Sequence, residues 1–349
     1  MTSPNKTSSN TIRCPSCEEY KRTTKQSKDR FYNCPATAVV LPFSGHPAIR
    51  RNKSCVIWTG LHSFRNDPFG VRNIGTRMTE EIPLIPKVNA LEVRTGNIVN
   101  WNRLKRKPNI NPTEELSECI TATVQKFLAA SDKTELQYVT HIDCLDNDLH
   151  EPLQEEERGE LKVTIKVFLC SKLPPQVIHE SVEKVMEDLK VSFVETVLLS
   201  ISMFNTEEEI TVEQLKPYWK VLEKMVQEEK VLSIGVSDLD KTKLAELYEW
   251  AKVKPSTDQV NLASCCVMPK ELTEYAKLVD VQLLTHNDPT ELLPASKLQE
   301  AIRMCSTEPD SVGWVGQWVA RYSVLVKCRG IIKSKGYVLS ASRDLHQRA

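Results

Sequence analysis

Four groups of residues in this 349-residue chain are of types that do chemistry. Cys14-x-x-Cys17 is spaced like half of a zinc site, in which thiolates hold the metal tetrahedrally. Cys34 and Cys55 follow at irregular intervals and no second CxxC exists, so no metal is expected. Cys266, His286 and Asp288 are by type a nucleophile, a base and an orienting acid. Nothing in their spacing demands that they meet, and a loop histidine making turn hydrogen bonds is the plainer reading of His286. Ser237-Asp238 offers a hydroxyl and a carboxylate, the same pair that caps a helix. Lys333-Ser334-Lys335-Gly336 sets two cations and a hydroxyl beside a glycine, which suits a phosphate; ordinary surface lysines explain it as well. The chain has neither G-x-x-x-x-G-K-[ST] nor G-x-G-x-x-G. No catalytic residue is expected from this set.

The elements that carry these groups alternate. Leu161–Leu169 reads as a strand, Val177–Leu189 as an amphipathic helix, and Val194–Leu199 as a buried strand. Helix 212–230, strand 231–236, a helix capped by Asp238 or Asp240, strand 259–262, helix 270–278 and strand 281–284 follow. Residues 113–128 supply an earlier helix, residues to about 304 a later one, and 322–326 and 331–332 the last strand candidates. Strands alternating with helices imply parallel pairing and right-handed crossovers. An α/β fold is predicted, a (β/α)8 TIM barrel over residues 90–349. Its site would lie at the carboxyl ends of the strands. Ser200, Ser237, Asp238, His286 and Lys333 all follow strands in this reading. Residues 1–89, rich in Ser, Thr, Asn, Arg and Pro and without a sustained helical period, are predicted to form a poorly ordered extension.

Composition excludes several classes. Lys+Arg and Asp+Glu are both 46, so the net charge is zero and there is no global pull on nucleic acid or anionic membrane. No run of about eighteen apolar residues offers a membrane span. The opening residues lack the apolar core of a secretory signal, and a cytoplasmic protein is expected. Its 11 cysteines are then mostly reduced, and an odd number leaves one without a partner in the chain.

Several strings resemble a known family. Ile234-Gly235-Val236-Ser237-Asp238-Leu239 and Asp258-Gln259-Val260-Asn261 are similar to the I-G-V-S-N-F and N-Q-V-E patterns of aldo-keto reductases, and Ile332-Lys333-Ser334 to their I-P-K-S loop. Within that superfamily, Arg94-Thr95-Gly96-Asn97, Leu215–Trp219, Gln259–Met268, Gln282–Pro289 and Arg329–Tyr337 resemble the glutamate–cysteine ligase regulatory (modifier) subunits. The resemblance spans about residues 90–345. It implies the reductase-type barrel and a heterodimer, disulfide-linked in one version, with the ligase's catalytic subunit. It also implies better use of glutamate and relief of feedback inhibition by glutathione. It further implies a vestigial NADP site at Ser237 and Gln259, which match holders of the nicotinamide amide, and at Lys333 and Ser334, which match the 2′-phosphate loop. No cofactor is required in that reading. Of the family's Asp, Tyr, Lys, His tetrad, Lys172 matches the lysine and Ser200 replaces the histidine. Asp143 and Asp146 lie near the expected aspartate without a well-placed tyrosine. An NADPH-dependent reductase is the alternative that this incomplete tetrad argues against.

Overall fold

The strand signals are β-branched runs whose alternate residues meet different layers. In Leu161–Leu169, Ile165, Val167 and Leu169 belong to one apolar cluster with Ile178 and Val182, whereas Phe168 belongs to a second with Leu116 and Ile120. Both faces of this strand are therefore buried. The computed structural model describes residues 82–99, 101–105, 110–201, 210–261 and 268–345, all within one compact unit, Glu80–Ala349. The expectations for residues 1–81, including Cys14 and Cys17, and for Cys265 and Cys266 lie outside the described residues.

Nine strands form one mixed sheet: β1 Ala90–Arg94, β2 His141–Leu145, β3 Leu161–Leu169, β4 Val194–Ile201, β5 Val231–Ser237, β6 Thr257–Asn261, β7 Gln282–His286, β8 Trp314–Val326 and β9 Ile331–Arg343. Their order is β2-β1-β9-β8-β3-β4-β5-β6-β7. The principal helices are α1 Pro112–Ala130, α2 Val177–Leu189, α3 Val212–Gln227, α4 Lys241–Trp250, α5 Lys270–Leu278 and α6 Ala295–Arg303. Helix starts follow the expected chemistry. Asp240 accepts the Lys243 N–H at 2.9 Å, and Thr211 with Gln214 forms a reciprocal capping box before α3.

The predicted α/β class and most predicted elements are present. The last part of the chain differs from a plain eight-fold repeat. Trp314–Val326 and Ile331–Arg343 are 13 residues each and pair antiparallel through a short turn in which Gly330 has φ +62°. A tight hairpin can only join antiparallel strands. This one inserts between β1 and β3 and splits the parallel strands into two groups. Among the described residues β2 and β7 end the order and do not pair with each other. The boundary expected at residue 89 also moves. Ile85 and Val88 are buried, and Asp310 accepts the backbone N–H groups of Leu84 and Ile85, so residues 84–88 belong to the folded unit.

Candidate functional site

The carboxyl ends of β4, β5, β6 and β7 surround a cavity of about 530 Å³. Its lining includes Leu199, Ser200, Ser237, Asp238, Asn261, His286 and Asp288. Beneath it lies a charged network. Lys166 on β3 is 3% exposed and donates to Asp288 Oδ2 at 2.9 Å. Arg321 on β8 grips the same carboxylate with two nitrogens, at 2.5 and 2.8 Å. The Asp288 backbone N–H donates to His286 Nδ1 at 3.1 Å. In the neutral ring that role leaves the proton on Nε2, which donates to both oxygens of Asp238 at 3.0 and 3.1 Å; in the protonated ring Nδ1–H instead faces Asp288 Oδ2 at 3.3 Å. Asp238 Oδ1 also takes the Asn261 N–H at 2.9 Å, and Asn261 Nδ2 donates to the Asp288 carbonyl at 2.7 Å. The turn after β5, the end of β6 and the loop after β7 are thus pinned together.

Burial and pairing pull on these groups in opposite directions. Burial would raise the Asp288 pKa. The hydrogen bonds from His286 and Arg321 and the nearby positive charges outweigh it and hold this carboxyl well below the usual range. Burial would lower His286, yet its hydrogen bonds to Asp238 and Asp288 raise it. For Lys166 burial wins and the pKa falls, although Asp288 opposes it. Asp258, on the opposite face of β6 and fully buried, is pushed up to about 7 by burial, with the Leu239 backbone N–H countering part of that.

The structure does not bring the four expected cofactor positions together. Ser237 and Gln259 are register partners on β5 and β6 at the carboxyl end of the sheet. Lys333 and Ser334 are not in a loop. They sit inside β9, where Ser334 pairs with Val324, which in turn faces Val163 at the amino end of β3. Three strands separate β9 from β5, a lateral distance on the order of 20 Å. Lys333 is bound to the Glu157 carboxylate and Ser334 is 2% exposed. A dinucleotide held at all four positions does not fit this arrangement. The physical reason is the hairpin, which turns a loop of the family pattern into strand. The tetrad positions are scattered as well. Ser200 lines the cavity and Lys172 is exposed. Asp143 and Asp146 pair with Arg94 and Lys126 at the β2 edge.

Sequence reasoning missed Lys166, Arg321 and Asp258. Lys166 stands four residues after Lys162 in an alternating strand, and both read as solvent-facing; only Lys162 is exposed. The available signal was a charge flanked by an unbroken apolar stretch, Ile165 before it and Val167, Phe168 and Leu169 after it.

Residues 144–302 match the aldo/keto reductase family. Over 271 residues the chain is 40% identical to the glutamate–cysteine ligase regulatory subunits of Mus musculus and Homo sapiens, a span that covers 77% of this chain and 99% of theirs. The chain belongs to the glutamate–cysteine ligase regulatory subunit family. An aldo-keto reductase enzyme from a Medee basin deep-sea metagenome library aligns over 38% of this chain and 45% of its own, with a TM-score of 0.30 and 21% identity, too slight a likeness to argue from. For a regulatory subunit family member, the aldo/keto reductase match covers the stretch from β2 to α6, and the hairpin lies beyond it. No described helix is long and apolar enough to cross a membrane.

Proposed function

We propose that this chain is a non-catalytic regulator that binds the catalytic subunit of glutamate–cysteine ligase as a cytoplasmic heterodimer. In this reading it improves the use of glutamate and weakens feedback inhibition by glutathione. The observation that carries the reading is the 40% identity over 99% of the regulatory subunits' length, which supports a role shared with those proteins along the whole chain. Physically, the chain must bind one state of the catalytic subunit better than another, and the difference in affinity sets how far the ligase can be shifted. A serine at position 200, an exposed Lys172 and aspartates committed to ion pairs support a role without proton transfer, because a lysine alone cannot replace a tetrad.

The test is ligase activity of the catalytic subunit with and without this protein, across glutamate and glutathione concentrations. A lower KM for glutamate or a higher glutathione inhibition constant is expected. Unchanged kinetics together with no co-purification would reject the proposal. A hydride-transfer assay with NADPH and simple aldehydes should be silent. Non-reducing electrophoresis of the complex decides whether a disulfide joins the two subunits.

A further inference from the structure

Among the described residues the sheet has two end strands, β2 and β7, and they differ. An end strand offers a row of N–H and C=O groups to another chain, and charge, proline or a bulge is what commonly blocks that. β2 carries such a block: Asp143, the middle residue of His141–Leu145, is charged and its side chain is 39% exposed. β7 carries none. Its sequence, Gln-Leu-Leu-Thr-His, has no Lys, Arg, Asp, Glu or Pro. Its register with β6 runs without a bulge, from Thr257 opposite Gln282 to Asn261 opposite His286. Gln282, Leu284 and Thr285 are exposed, Leu284 at 37%.

The pairing with β6 fixes which backbone groups face outward. The Gln282 N–H donates to the Ser256 carbonyl at 2.9 Å. Successive residues of a strand turn their backbone groups to opposite sides. Gln282, Leu284 and His286 therefore bond β6, and Leu283 and Thr285 point away from it. Among the described residues no strand meets that side.

This spacing matches a second β7 running antiparallel. A two-fold axis at Leu284 sets Leu283 opposite the copy's Thr285 and Thr285 opposite the copy's Leu283. Each such pair exchanges both of its N–H···O bonds, which satisfies every outward group. Leu284 then meets the copy's Leu284 across the axis, and Gln282 falls opposite the copy's His286, so no charge meets a like charge. The same construction on β2 would set Asp143 against the copy's Asp143, which repels.

We propose that β7 is a homodimerisation edge: two copies of this chain pair through Gln282–His286, antiparallel about a two-fold axis at Leu284, and join their sheets. The contact is isologous, so it closes at two copies and does not propagate.

The test uses the full-length protein without the catalytic subunit, so its outcome is separate from the regulatory reading. Sedimentation from about 1 μM to about 100 μM should show a reversible monomer–dimer equilibrium. Proline is tolerated where a strand N–H faces away from its sheet. Thr285→Pro should therefore keep the parent's circular dichroism spectrum and weaken self-association by about tenfold or more. Leu284→Lys sets like charges at the axis and should weaken it comparably; if the proline variant loses its fold, this one decides. Leu284→Cys places two thiols at a Cα separation of about 4.5 Å, within disulfide reach. Under oxidised glutathione it should give a dimer bridged through position 284, mapped by peptide mass. Leu283→Cys faces the copy's Thr285 and should not bridge to itself. A monomer at every concentration, a dimer undiminished by Leu284→Lys, or bridging through position 283 as readily as through 284 would overturn the proposal. A monomer whose binding to the catalytic subunit is weakened by Leu284→Lys would also overturn it, by giving the edge to that subunit.

Discussion

Lys166 on β3 and Arg321 on β8 stand directly opposite each other in the antiparallel pair, and both are cations. Like charges in that position repel. Asp288 reconciles them: it enters from the loop after β7 and takes one hydrogen bond from Lys166 and two from Arg321. The distant loop is therefore part of the sheet's electrostatics, and the cavity above it inherits a fixed floor.

Removing Asp288 alone should cost the most of any single change in this network. Asp288→Ala leaves a buried Lys166 and a mostly covered Arg321 facing each other and is expected to lower stability by about 3–5 kcal/mol, as when a buried pair loses one member. Replacing Lys166, Arg321 and Asp288 together by apolar residues of similar volume should cost less than that single change. Urea unfolding of the variants measures both, and a triple variant less stable than Asp288→Ala contradicts this account.

Stability should fall as the solution is brought from acid to neutral pH. The folded pKa of Asp258, about 7, lies above its ordinary 3.8, so the folded state holds a proton that the unfolded chain releases. Its contribution is fully present below about pH 4 and is lost as pH rises to about 7. At about 1.4 kcal/mol per pH unit the loss is about 4 kcal/mol. Asp288 acts with the opposite sign, since its depressed pKa stabilises above its ordinary value and that stability is lost as pH falls below it. Asp258→Asn should flatten the decline between pH 4 and 7. Equal slopes for variant and parent in melts across that range would show that Asp258 is not the titrating group.

Gly336 allows β9 to lie close against its neighbours. A Cβ there would overlap the Gly96 carbonyl oxygen and come within 2.5 Å of the Tyr322 hydroxyl. The first obstacle is backbone and cannot swing aside. Gly336→Ala should therefore destabilise by about 3 kcal/mol or more, read as a lowered unfolding midpoint.

Thiol reactivity should separate the described cysteines. Cys328 is exposed in the hairpin turn, whereas Cys119 and Cys144 are buried. Burial pushes the thiols of Cys170 and Cys305 up to about 12 and that of Cys144 well above its usual value, which removes their thiolate at neutral pH. Brief alkylation of the native protein, mapped by peptide mass, should label Cys328 ahead of these four. Labelling of Cys144 at a similar rate would indicate that β2 opens readily.

The sequence by itself determined the elements whose signal is local. Leu161–Leu169, Val177–Leu189 and Lys270–Leu278 fall where their period predicts, and Asp240 caps the helix it precedes, because side-chain period and capping depend on neighbours a few residues away. Family membership was legible too, in strings such as Gln282–Pro289 and Arg329–Tyr337. Tertiary structure alone decided which charges are buried and which positions meet. Lys162 and Lys166 look alike in sequence, and only the arrival of Asp288, 122 residues after Lys166, separates them. Ser237 and Ser334 looked like two ends of one site until the hairpin set Ser334 at the other end of the sheet. Strand order comes from the packing of all elements at once, and no short stretch of residues encodes it.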